Sequence, residues 1–400
     1  MGWEMKKLEE VCNIKPPKKE AATLIGLDEK VSFVPMGDLG INEKHFKPKQ
    51  ERKLSDVKGS YTFFKEGDVL LAKITPCFEN GKLGIAKGLT NGIGFGSSEF
   101  IPYRPTKELN ASWLYYFLNR QSFRDTGADQ MSGAVGHKRI TKEFYQETQV
   151  PLPPLPEQKR LVHLLDTAFG EIERARVLLE RNLRNAGELF ESRLINILSK
   201  KRDDWQIKTL KEVCSIITDG THQTPTYFDS GYVFLSSRNV KTGKIDWNNI
   251  KYIDEVQHQK MYGRLAPQIG DILLAKNGTT GVAAIVDVDR VFDIYVSLAL
   301  LRPTAEIYPE FLLRFVNSPV AKKQFNSRLK GSGVPNLHLK EIREVRMAFP
   351  ESLKKQEKVA NEISILKKEV DKVREQYQAQ LSHLTDLKQS LLARAFAGEL

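Results

Sequence analysis

Residues 353–400, LKKQEKVANEISILKKEVDKVREQYQAQLSHLTDLKQSLLARAFAGEL, decide how the rest of the chain is read. Apolar side chains recur in this stretch at alternating steps of four and three: Val359, Ile363, Leu366, Val370, Val373 and Tyr377, then Leu384, Leu387 and Leu391. Only the step at Gln380 is missed. No Gly or Pro interrupts Leu353 to Ala397, and Lys, Glu, Gln and Arg fill the other faces. A 3.5-residue apolar period is that of a coiled-coil seam. At about 1.5 Å per residue, a helix of about forty residues extends roughly 60 Å. That exceeds what the interior of one domain holds, so the helix needs a partner elsewhere in the chain.

An internal repeat supplies it. Trp3, Lys6, Leu8, Glu10, Val11, Cys12 and Ile14 return as Trp205, Lys208, Leu210, Glu212, Val213, Cys214 and Ile216. Gly67 to Lys73 returns as Gly270 to Lys276, and Arg104-Pro105 with Trp113, Leu114, Phe117 and Asn119 returns as Arg302-Pro303 with Phe311, Leu312, Phe315 and Asn317. The proline cluster Pro153-Pro154-Leu155-Pro156-Glu157-Gln158 stands where Pro350 to Gln356 stands in the second half, the second copy being degraded at Glu351-Ser352-Leu353. Proline continues neither a strand nor a helix interior, so each cluster closes a globular unit and hands over to a helix. After the first cluster, Leu161, Leu165, Ala168, Ile172, Ala175, Leu179, Ala186 and Leu189 form the matching seam, interrupted by Asn182. That Asn reads equally as a register-fixing seam residue or as a water-facing turn. Gly187 is a weak point, costing roughly 1 kcal/mol against Ala.

The expected organisation is a globular unit over 1–155, a long helix over 156–200, a second unit over 201–352 and a second long helix over 353–400. Strands are expected at Val31–Pro35, Val69–Lys73, Tyr232–Leu235 and Ile272–Lys276, and short helices at Ala111–Asn119 and Pro309–Asn317. The class is α+β: two pseudo-two-fold-related units with short α/β-type strands, joined by two long antiparallel coiled-coil helices, with Leu400 near Met1.

Composition narrows the function. The 400 residues are 40% hydrophobic and 28% charged, and carry a net charge of +11 that favours a polyanionic partner. The charge is shared: residues 1–200 hold 31 basic and 26 acidic side chains, and residues 201–400 hold 30 and 24, giving +5 and +6. No apolar run suits a membrane span or a signal core, and three cysteines without metal spacing fit a reducing cytoplasm. Phosphate-loop and His-Glu-x-x-His motifs are absent, as is an Asn/Asp-Pro-Pro-aromatic motif of an amino-methyltransferase; Lys15-Pro16-Pro17-Lys18 is not one. Asp68 and Asp271 read as turn caps at strand entries, and Gly92-Ile93-Gly94-Phe95-Gly96 reads as a turn. Catalysis, cofactor binding and metal binding are not expected on this chain.

Taken together, the duplication, the proline closures and the ending Ser390-Leu391-Leu392-Ala393-Arg394-Ala395-Phe396-Ala397-Gly398-Glu399-Leu400 resemble the specificity subunit of type I restriction-modification systems. The resemblance covers the whole chain. It implies two target recognition domains, each reading one half of a bipartite double-stranded DNA site, and helices that set the spacer and dock two methyltransferase subunits. It further implies motor-endonuclease subunits in the full complex, with S-adenosylmethionine and ATP used by those partners.

Base edges are read by Arg, Lys, Asn, Gln, Ser and Thr, and phosphates by Lys and Arg. Candidates in the first unit are Lys73, Thr75, Asn80 and Lys82 after a strand, and His137, Lys138 and Arg139 after a Gly-rich loop. In the second they are Lys276, Asn277, Thr279 and Thr280, then Lys330, Ser332, Asn336 and His338, with Ser237, Arg238 and Asn239 as a further loop. Lys73 and Lys276 stand at equivalent places, where a shared framework ion pair would leave the same trace as DNA contact. A non-catalytic coiled-coil scaffold whose two heads bind proteins is the other reading.

Overall fold

The computed structural model describes residues 3–134, 136–199, 203–278, 280–328 and 336–400. Its internal contacts divide the chain into unit 1, Met1–Leu179 with Ala379–Leu400, and unit 2, Glu180–Gln378. Two unbroken helices, Leu155–Ser199 and Leu353–Ala397, therefore each contribute to both units.

In unit 1 the strands are β1 (Met5–Lys7), β2 (Cys12–Ile14), β3 (Lys30–Val34), β4 (His45–Phe46), β5 (Gln50–Lys53), β6 (Thr62–Lys65), β7 (Val69–Ala72), β8 (Leu83–Ala86), β9 (Ile93–Gly96), β10 (Phe100–Pro105) and β11 (Gln149–Pro151). They form sheets ordered β2-β10-β7-β8-β4 and β5-β3-β9-β6, and a ribbon pairing β1 with β11. Unit 2 has β12 (Trp205–Thr209), β13 (Cys214–Asp219), β14 (Tyr232–Leu235), β15 (Val240–Lys241), β16 (Lys244–Ile245), β17 (Lys251–Ile253), β18 (Ile272–Ala275), β19 (Ala283–Ile285), β20 (Phe292–Ile294), β21 (Leu298–Pro303) and β22 (Arg346–Pro350). Its sheets run β13-β21-β18-β19 and β17-β14-β20, with ribbons β12-β22 and β15-β16. The parallel pairing of β3 with β9 recurs as β14 with β20, among otherwise mostly antiparallel ladders. The short helices lie at Ala111–Leu118 and Pro309–Val316.

One ion pair is built twice into this framework. The buried carboxylate of Asp68 caps the turn by accepting from the Lys65 N–H at 2.8 Å, and Asp271 accepts from the Gln268 N–H at the same distance. Each carboxylate also takes two bonds from an arginine on the neighbouring strand, Arg104 at 2.9 and 2.9 Å and Arg302 at 2.8 and 2.7 Å. Three bonds to each carboxylate, two of them bidentate from an arginine, offset much of its desolvation, although burial still holds the Asp68 carboxyl above its usual range. The glycine run is a strand rather than a turn: a Cβ on Gly94 would lie 2.1 Å from the Phe64 ring, and one on Gly96 would lie 2.5 Å from the Val34 carbonyl oxygen.

Within each unit the beginning of one long helix packs on the end of the other. Leu161 and Leu165 share the unit 1 core with Leu392, Ala395 and Phe396, while Leu194, Ile197 and Leu198 share the unit 2 core with Val359, Ala360 and Ile363. The local directions are opposed. Arg160 donates to the Leu400 carbonyl at 2.7 Å while Phe169, further along, lies 5.3 Å beneath the Lys388 ammonium. In unit 2, Lys367 sits over Phe190 and Arg193 pairs with Glu362 at 3.3 Å. Trp3 and Leu400 pack on one cluster, with Phe396 4.0 Å from Trp113; Met1 is outside the described residues.

The seam drifts from a strict heptad. Leu189 is 69% exposed, Leu387 46% and Val373 37%, so these three are corrected out of it. Phe190 and Leu194 take over on the first helix, and Leu381, Lys388, Leu392 and Ala395 on the second, with Ala168, Ile172, Leu179, Leu366, Val370, Tyr377, Leu384 and Leu391 half-buried. A straight α-helix turns every 3.6 residues and slips roughly 20° per heptad against a 3.5 repeat, which moves the buried stripe one position along after several turns. No helix among the described residues is long and apolar enough to cross a membrane.

Both helices enter their units through one buried glutamine. The Gln158 amide donates to the Glu108 and Pro153 carbonyls, each at 2.8 Å, and its oxygen accepts from the Asn110 N–H at 2.8 Å. Gln356 repeats this with Glu306 and Pro350 at 2.9 Å and the Tyr308 N–H at 2.8 Å, so the degraded proline cluster makes the same handover. Replacing Gln158 by Leu strands three backbone groups beside a buried side chain. We expect a loss of about 3 kcal/mol, the sum of modest penalties for orphaned donors and acceptors, measured as an earlier urea transition for unit 1. An unchanged transition would contradict the role given to this residue.

Candidate nucleic-acid interface

Three segments converge at the end of one strand in each unit. In unit 1 the Lys73 N–H, just past β7, donates to the Glu99 carbonyl at 2.9 Å, and the Lys73 carbonyl accepts from the Ile140 N–H at 3.0 Å. In unit 2 the Lys276 N–H donates to the Ser297 carbonyl at 2.8 Å, and its carbonyl accepts from the Leu337 N–H at 3.1 Å. Ile74 bridges Arg139 as Asn277 bridges Asn336. The backbone thus equates Lys73, Ile74, Glu99 and Arg139 with Lys276, Asn277, Ser297 and Asn336: one scaffold carrying two sets of side chains.

In unit 1 this brings Lys73, Thr75, Lys138 and Arg139 together. The Thr75 N–H donates to the Lys138 carbonyl at 3.0 Å, and the Arg139 guanidinium grips Glu99 with bonds of 2.8 and 2.9 Å. Lys73 donates to the Ser98 carbonyl at 3.0 Å and lies 3.8 Å from Glu99. The bonds from Arg139 hold the Glu99 carboxyl below its usual range, against partial burial and with help from the Lys73 charge. Burial pulls the Lys73 ammonium below its usual value, opposed by Glu99. His137 and Lys138 are exposed beside this cluster. Asn80 is exposed in the following turn, while Lys82 is half-buried and donates to the Met36 carbonyl at 2.8 Å.

Unit 2 differs at the same place. Lys276 is buried and donates to Asp219 at 2.5 Å, so it is corrected from a DNA contact to a framework residue. Burial pushes the Asp219 carboxyl up, but Lys276 and His222 outweigh it and leave it below the usual range. Asn277 and Asn336 each hold a buried side-chain oxygen without a hydrogen-bond partner among the described residues. The Thr280 hydroxyl donates to the Lys276 carbonyl at 3.1 Å, and His338 is exposed. Thr279, Lys330 and Ser332 lie outside the described residues.

The third loop also separates into parts. Asn239 is buried, donates to the Asp246 and Asn249 carbonyls at 3.2 and 2.9 Å and accepts from the Ser236 N–H at 3.0 Å, so it shapes the loop and does not face solvent. Ser237 is half-buried, with its N–H on the Ser297 hydroxyl at 3.0 Å. Arg238 is exposed and has no ion pair among the described residues. It lines a groove of about 430 Å³ with Tyr227, Lys251, Tyr295 and Ser297, the Lys251 ammonium lying 3.8 Å above the Tyr227 ring. Sequence reasoning missed Tyr227, Lys251 and Tyr295, which are far apart in the chain and meet only through the β17-β14-β20 sheet. An aromatic wall with cations and hydroxyls suits stacking, base edges and phosphates.

Replacing Lys276 by Met leaves a buried carboxylate without its counter-ion. We expect unit 2 to lose about 3 kcal/mol, most of it recovered by adding Asp219→Asn, in a double-mutant unfolding cycle. Because protonated Asp219 needs no counter-ion, the single-variant penalty should shrink as pH falls. Equal losses in the single and double variants would contradict the pairing.

The family model described as Type I restriction modification DNA specificity domain matches residues 1–180 and again residues 202–382. The chain is similar to the type I restriction enzyme EcoAI specificity subunit of Escherichia coli, with 36% identity over 162 residues, 40% of this chain and 27% of that protein. It is also similar to the EcoKI specificity subunit of Escherichia coli strain K12, with 23% identity over 358 residues, 82% of this chain and 76% of that protein. The chain thus spans only 27% of the length of the EcoAI relative. Among solved structures, a chain from work on complex assembly and conformational transition of the type I R-M system aligns with a TM-score of 0.80 and 19% identity, covering 100% of this chain and 98% of that one. The HsdS subunit from Thermoanaerobacter tengcongensis aligns with a TM-score of 0.64 and 18% identity, covering 100% and 97%. At these identities the structures establish the fold.

Proposed function

This chain belongs to the type I restriction modification DNA specificity family, and we propose that it is the non-catalytic, sequence-reading subunit of a type I restriction-modification complex in the cytoplasm. Unit 1 and unit 2 act as target recognition domains, each reading one half of a bipartite, asymmetric site on double-stranded DNA. The long helices set the spacer and dock two methyltransferase subunits. Motor-endonuclease subunits join through the complex, and S-adenosylmethionine and ATP are used by the partners.

The observation that carries this reading is the one scaffold furnished twice with different side chains. Beside a lysine that both units keep, Ile74, Glu99 and Arg139 in unit 1 stand where Asn277, Ser297 and Asn336 stand in unit 2. A protein that had to present the same surface twice would have kept those residues alike. Different donors and acceptors at matched places are what reading two different half-sites requires, because each base pair offers its own pattern in the major groove.

A methylome of the host with and without this gene tests the proposal. We expect a split, adenine-methylated motif that disappears when the gene is deleted and returns with a plasmid copy, in a strain where the partner subunits are expressed. An unchanged methylome in that strain would sink the reading. Retention of proteins but not of duplex DNA at about 50 mM salt would favour a protein-binding scaffold instead.

A further inference from the structure

Unit 1 contains a cleft of about 360 Å³ that the candidate loops do not account for. It lies between the segment Lys15-Pro16-Pro17-Lys18, which follows β2, and the start of β6, and is lined also by Ser60, Lys73 and Ser98. Lys15 takes a left-handed backbone conformation, φ +54°, uncommon for a residue with a Cβ. Its N–H donates to the Pro102 carbonyl at 2.9 Å, which fixes the turn at the sheet edge. The two prolines that follow stiffen the rim.

The charges around this cleft do not balance. The Lys15 ammonium donates to the Tyr145 hydroxyl at 2.7 Å and lies over its ring, and Lys18 donates to the Gly59 carbonyl at 2.7 Å, so both partners are neutral. Lys73 and Arg139 share a single carboxylate, Glu99. Glu20, nearby in the chain, is occupied by Lys65 at 2.5 Å and Arg104 at 2.9 Å. Four cations thus face one carboxylate. Lys15 and Arg139 add to the burial that lowers the Lys73 ammonium. In unit 2 the equivalent lysine is neutralised internally by Asp219.

We propose that this cleft is a phosphate clamp that grips the sugar-phosphate backbone of DNA through Lys15 and Lys18, so that unit 1 supplies sequence-independent affinity that unit 2 does not match at the equivalent place. The proposal rests on the DNA-reading function given above. Hydroxyls at Ser60 and Ser98 beside the ammonium groups complete the donor set for phosphate oxygens. Neutral partners hold the lysines in place without cancelling their charge.

The test uses the full chain and a duplex of arbitrary sequence, with affinity read by fluorescence anisotropy between about 50 and 200 mM salt. Each phosphate contact contributes about 0.9 to the slope of log affinity against log salt, so Lys15→Gln with Lys18→Gln should flatten the slope by between about one and two. Lys211→Gln with Lys260→Gln removes the same net charge from exposed positions outside both grooves and should leave the slope unchanged. Equal flattening by both pairs, or none from the first pair in a folded protein that still binds DNA, would overturn the clamp. Absence of binding by the unmodified chain would instead overturn the DNA-reading function itself.

Discussion

Everything in this chain depends on the seating of a long helix against a small mixed unit, and in each unit one buried glutamine side chain makes that joint. An amide is well suited to the place. It offers two donors and an acceptor in one plane, so a single residue satisfies a carbonyl of the closing proline segment, a carbonyl of the loop before the short helix and a backbone N–H. A charged side chain there would be costly to bury, and an apolar one would leave the three groups unpaired. Because Gln158 and Gln356 make the same bonds, the first turns of the two long helices are seated in the same way on their own units. The Asp68–Arg104 and Asp271–Arg302 pairs then fix the strand that leads toward each candidate surface.

A repeated framework of this kind separates stability from specificity. The parts that must be identical for the fold are buried: the glutamine, the aspartate of the aspartate–arginine pair, and Cys12 and Cys214, whose thiols burial pushes up and out of reactive range. The parts that differ are loop residues at the ends of those strands. Loops carried by a rigid framework can change without disturbing the core, which is where recognition residues belong.

The architecture was legible in the sequence because repetition at a constant offset and a sustained apolar period are both signals along the chain. The strand Val69–Ala72 and its copy Ile272–Ala275 lie where the Gly-Asp turns put them. The candidate site was legible only in part. Residues following a recognisable strand, such as Lys73 and Asn277, and Arg139 after the Gly-rich loop, lie where the sequence placed them. What each side chain does there depends on partners distant in sequence: Glu99 for Arg139, and Asp219 for Lys276. A shared lysine looks the same in the sequence whether it is buried in an ion pair or exposed. Lys15, Lys18, Tyr227 and Tyr295 were missed because only the sheets bring them to their clefts, and Leu189 and Leu387 were misplaced because a small mismatch in helical period accumulates over several turns.

The central claim is that the two units read separate halves of one DNA site. It is tested most directly by combining Arg238→Ala with Asn277→Ala, both in unit 2, and sequencing the methylated sites made by the assembled complex. The account predicts that one half of the split motif relaxes or changes while the other half and the spacer stay as they were. Simultaneous change of both halves, or an unaltered motif from a folded and assembled variant, would contradict it.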